Sequence, residues 1–100
     1  VTDGVDDDFY ARADAHIHLS NDQLKNISRG KVSASMMYSV ARFNAWVSAT
    51  NSDSRQDMLD ARERIIGYFT GEYRKMLEEN LDDYIKHFDS YTTVSPKNLE

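Results

Sequence analysis

The chain has 100 residues, 40% of them hydrophobic and 29% charged, with a formal charge of −5. That is one domain's worth of polypeptide, and its acidic balance argues against nucleic acid or anionic membrane as partners. Cysteine is absent, which excludes disulfides, thiolate catalysis and zinc–sulfur sites, and no apolar run approaches the roughly 20 residues that span a bilayer.

Residues 1–7 read as a disordered acidic N-terminus without a secretory signal. A single helical domain is expected over residues 8–89. The sole proline, Pro96, lies near the end, and glycine is scarce within the long periodic stretches. The first helix is predicted from about Asp8 to Ile27, with Phe9, Ala13, Ile17, Ser20, Leu24 and Ile27 on one face. Asp6, Asp7 and Asp8 stand where the helix dipole favours carboxylates. Ser28-Arg29-Gly30-Lys31 reads as its stop, with Gly30 suited to a left-handed cap.

The second helix is predicted from a Ser33 N-cap to about Thr50. Met36, Met37, Val40, Phe43 and Val47 form its large-residue face; Ala34, Ala41, Ala45 and Ala49 form a small-residue face. This pattern suits a central helix packed on two sides. Ser54-Arg55-Gln56-Asp57 resembles a capping box that opens a third segment running to about Phe88. Its charges allow i,i+4 pairs at Asp60/Arg64, Arg74/Glu78, Lys75/Glu79 and Asp82/Lys86. Residues 90–100 read as a disordered tail whose final Leu99-Glu100 resembles a cloning remnant.

The segments do not match in length. The first two helices are each under about 30 Å, whereas the third, if straight, is about 50 Å. In an antiparallel hairpin the third helix overhangs the second from Leu77 onward, and Leu77, Leu81, Tyr84, Ile85 and Phe88 lie on that overhang. So much apolar surface calls for cover. A second copy of the chain, a break at Gly67 or Gly71 giving a four-helix bundle, or an opened first helix would each supply it. The favoured reading is an all-α small bundle of three helices with a long continuous third, self-associating as a dimer. A helical glycine costs only about 1 kcal/mol, and Thr70-Gly71-Glu72 is a weak reversal.

Chemistry-bearing patterns are sparse. His16 and His18 point to opposite sides of a helix. Asp14/His18 and Asp83/His87 share faces and would form a metal site only if the fold joined them; surface ion pairs are the simpler reading. Glu78, Glu79, Asp82 and Asp83 form an acidic run, and hairpin geometry sets Glu78 and Glu79 near Arg29 and Lys31. Arg42 and Trp46 flank the large-residue face. Asn44 is either a buried register-setting amide or a polar residue at the core edge. Arg29, Lys31, Arg42, Asn44, Trp46, Glu78 and Glu79 are therefore a candidate polar cluster. No nucleophile elbow, phosphate loop, dinucleotide fingerprint or calcium loop occurs.

Three stretches carry a resemblance: Arg29-Gly30-Lys31-Val32-Ser33-Ala34-Ser35-Met36, Ala41-Arg42-Phe43-Asn44-Ala45-Trp46, and Tyr73 through Ile85 (YRKMLEENLDDYI). They resemble DUF3144, a proteobacterial family of small proteins of unknown function, across about Phe9 to Phe88. The resemblance implies a bacterial, cytoplasmic protein and supplies no catalytic residues. The expected function is a non-enzymatic helical protein-interaction module with an unidentified protein partner and no cofactor. The alternative is a small-ligand or metal-binding helical protein using His18, His87 and nearby carboxylates.

Overall fold

A computed structural model describes residues 6–94, with side chains through Tyr91. Helix α1 spans Phe9–Gln23, α2 Arg29–Thr50, α3 Arg55–Lys86 and α4 Phe88–Val94. Among the described residues there is no strand. The all-α expectation of three helices with a long third holds, and a short fourth piece follows.

Each boundary has a local cause. Asp6 accepts from the backbone N–H of Asp8 at 2.9 Å and pairs with Arg12 at 2.9 Å, which ties the entry strand to the first turns of α1. The Arg12 hydrogen bond, helped by that backbone N–H, lowers the Asp6 pKa below the ordinary carboxylate value. Ser28 is extended (φ −66°, ψ 153°) and is the residue from which α2 departs. The second helix thus starts four residues before its predicted Ser33 cap, and Gly30 lies inside it rather than closing α1. Ser54, also extended, accepts from the Asp57 N–H at 3.1 Å, so the capping motif works as its sequence suggests. Helix α3 then runs unbroken through Gly67 and Gly71, which rules out the four-helix alternative for this chain. His87 (φ −113°, ψ 31°) breaks it from α4. Helical backbone continues to Val94, beyond position 90 where the sequence reading begins its tail; residues 1–5 and 95–100 lie outside the described residues.

The inward faces follow helical spacing. On α1 the half-buried positions are Phe9, Ala13 and Ser20, with Leu24 just beyond its end; on α3 they begin with Met58, Ala61, Ile65, Phe69 and Glu72. On α2, Met36, Asn44, Val47 and Ser48 are half-buried, while the alanine face at Ala34, Ala41, Ala45 and Ala49 is exposed. The expected two-sided burial of α2 therefore does not occur within one chain. Among the described residues the one fully buried hydrophobic side chain is Val32, at 5% exposure, in the first turn of α2 after the α1–α2 corner.

The helices are splayed. The radius of gyration is 16.4 Å, against about 13 Å for a compact chain of this length. The accessible surface is 8698 Å2; a compact 11.5 kDa monomer exposes about 5,800 Å2. Subtracting the largest surface the residues outside 6–94 can have, about 1,700 Å2, still leaves about 1,600 Å2 more than a compact chain of the remaining length.

Candidate functional site: an apolar groove and an uncovered helix stripe

The corner at Leu24–Ser28 sets α1 and α2 apart as the two walls of a groove. Leu19 and Ser20 from α1 face Met36, Ser39, Val40 and Phe43 from α2, enclosing a volume of about 520 Å3. The walls meet where Ser20 Oγ donates to the Met36 sulfur at 3.7 Å. Asn44 sits at the groove's edge, half-buried. Phe43, 61% exposed, lies along the groove with Trp46 against it, the ring centroids 5.6 Å apart. This concavity was not legible from the sequence. It depends on the angle between two helices, which no local pattern encodes.

The overhang is the second feature. At about 1.5 Å per residue, α3 is about 48 Å long and α2 about 33 Å. The last ten or so residues of α3 are therefore more than α2 could cover in an antiparallel pair. Leu77, Leu81, Tyr84, Ile85 and Phe88 are all exposed there, Ile85 at 72%. The stripe predicted to need cover is exposed to water at each of these positions.

Glu78 pairs with Arg74 of its own helix at 3.3 Å, as the i,i+4 spacing predicts. Lys75 pairs instead with Glu72, at 2.9 Å, and holds the Glu72 pKa below the ordinary carboxylate value. Lys31, Arg42 and Glu79 make no ion pair among the described residues. Lys31 and Arg42, eleven residues and so three turns apart, lie on one flank of α2 with Trp46.

Of the two carboxylate–imidazole pairs, only Asp83/His87 forms, with Nδ1 3.1 Å from Oδ1. Tyr91, which the sequence reading left out of the site, completes this joint. Its hydroxyl donates to Asp83 Oδ2 at 2.8 Å and its ring lies 4.3 Å from that of Tyr84. The Asp83 hydrogen bond raises the Tyr91 pKa above the ordinary phenol value. The i, i+4, i+8 spacing of Asp83, His87 and Tyr91 was the available signal. The group fastens α4 to the end of α3. No three histidine or acidic side chains among the described residues converge on a point where a metal ion could sit, and no helix there is long and apolar enough to cross a membrane.

No curated protein matches the chain. A protein from Shewanella sp. solved by NMR is 38% identical, with a TM-score of 0.75, covering 91% of this chain and 97% of that one. The fold is therefore shared with a solved relative over nearly its whole length. The model of the family described as "Protein of unknown function (DUF3144)" matches residues 9–85, and the chain belongs to that family.

Proposed function

We propose that this protein is a non-enzymatic helical interaction module that works as a homodimer, with the cytosol, which suits a cysteine-free chain, as its setting. One observation carries the reading: residues 6–94 expose about 1,600 Å2 more than a compact chain of that length, and large apolar side chains along α2 and α3 are prominent in that surface. Water contact of this kind costs on the order of 25 cal/mol per Å2 of apolar area. A standard protein–protein interface covers about 800 Å2 per partner, so the exposed faces have room for a second copy and for a further protein. The test is thermal unfolding over a hundredfold range of protein concentration. An oligomer stabilised by mass action melts at a higher temperature as concentration rises; a melting temperature independent of concentration contradicts self-association.

The groove also supports a second reading, a small apolar ligand held between α1 and α2. Its volume falls in the range typical of ligand sites, and Ser39 and Asn44 are polar groups at its wall. A metal-based version has less support, because only one carboxylate–imidazole pair forms.

A further inference from the structure

We propose that two copies pair reciprocally, the Leu77–Phe88 stripe of each lying in the α1–α2 groove of the other. This rests on the self-association reading and specifies which surfaces meet. Three observations point to it.

The first is geometric. In its own chain α3 leaves α2 at the Asn51–Ser54 turn, and its half-buried positions run at helical spacing from Met58 to Glu72. The stripe is more than α2 could cover in an antiparallel pair and cannot fold back onto its own groove while α3 is continuous. The second is length. From Leu77 to Lys86, where α3 ends, is about 14 Å, and the α2 wall from Ser35 to Asn44 is also about 14 Å. The stripe is apolar along that length, the wall is apolar at Met36, Val40 and Phe43, and both expose apolar side chains to water.

The third is charge. Helix α2 carries Arg29, Lys31 and Arg42 and no acidic residue. The segment from Leu77 to Asp89 carries Glu78, Glu79, Asp82, Asp83 and Asp89 against Lys86 alone, a net −4 with His87 neutral. Helical spacing places Glu78 and Asp82 beside Ile85 on one flank of the stripe, and Lys31 and Arg42 beside Ser35 on one flank of the groove wall. The acidic flank of the stripe thus meets the basic α2 edge of the groove, whose other wall, α1, carries Asp14 and Asp22, whereas stripe against stripe would oppose acid to acid. Because each chain offers both surfaces, the pairing closes on a two-fold axis and leaves neither surface open.

The test is a charge exchange. Arg42→Asp and Asp82→Arg each alter an exposed side chain, so circular dichroism should show unchanged helicity. Each variant alone opposes like charges at both contacts, and its homodimer should weaken about tenfold or more at low salt. An equimolar mixture restores opposite charges at both contacts of the heterodimer, and its affinity should return to the wild-type value. A mixture no tighter than the separate variants overturns the arrangement, as does a wild-type affinity in either variant alone. The absence of native cysteine gives an independent readout. Val40→Cys mixed with Leu81→Cys should cross-link under mild oxidation, and neither alone should. Cross-linking of Leu81→Cys with itself to the same extent would place stripe on stripe and contradict the proposal. A wild-type dimer failing the exchange sinks only this arrangement; a wild-type monomer sinks the self-association reading as well.

Discussion

The first half of α3 and the segment from Leu77 into the start of α4 share a helical spacing of apolar residues, yet they live in different surroundings. From Met58 to Glu72 one face is half-buried at regular helical intervals. From Leu77 to Phe88 the same kind of face is open, with Phe88 60% exposed. Amphipathic patterning says that a face must be covered, and it does not say by what. Here the half-buried spacing ends at Glu72, and the apolar positions from Leu77 onward are exposed.

The sharpest way to break the comparison is to damage each region separately. Replacing Val32, the single fully buried side chain among the described residues, by Ala should cost about 1–3 kcal/mol of stability, read as a lowered urea midpoint. Replacing Ile85 by Ala should leave the stability of the isolated chain nearly unchanged and weaken association instead. Equal losses of chain stability in the two variants would mean that the halves are not different in kind. Removing the Ser54 cap with Ser54→Ala should cost about 1 kcal/mol, a loss borne by the covered half because the cap fixes the first turn of α3.

Smaller effects sharpen the picture. At Gly67 a Cβ would meet nothing within 4 Å, so Gly67→Ala should stabilise the helix by about 0.5–1 kcal/mol. A destabilisation instead would reveal a second chain passing close to the Gly67–Gly71 face. At the α3–α4 joint the Tyr91 pKa is raised because its hydroxyl donates to Asp83. The hydrogen-bonded neutral phenol therefore adds stability below the ordinary phenol value, and that support is lost as pH rises through the raised one. Spectrophotometric titration should show one tyrosine ionising later than the rest, and Tyr91→Phe should remove it. At the other end Asp6 has a lowered pKa, so its pairing with Arg12 supports the α1 entry above the ordinary carboxylate value. That support goes as pH falls through the lowered one.

Much of the fold was legible residue by residue. The Ser54 cap, the continuity of α3 across two glycines and the half-buried Phe9, Ala13, Ser20 and Leu24 follow from local rules and helix length, whereas Ile17 and Ile27 are exposed and α1 ends at Gln23, four residues short of its predicted end. The start of α2 was misjudged because Gly30 after a polar run looks like a helix end, while the actual departure point is the extended backbone of Ser28. Arg29 and Lys31 in the first turn of a helix also run against the dipole preference, which made an earlier start harder to see. The groove and the Asp83–His87–Tyr91 joint escaped for a different reason. One depends on the angle between α1 and α2, and the other on helical structure resuming after His87.

Light scattering coupled to size-exclusion chromatography, run from low to high micromolar concentration, asks most directly whether the open faces are meant for a second chain. The account predicts a mass of twice 11.5 kDa, falling toward one chain on dilution or on Ile85→Asp substitution. A stable mass of 11.5 kDa at every concentration would contradict it.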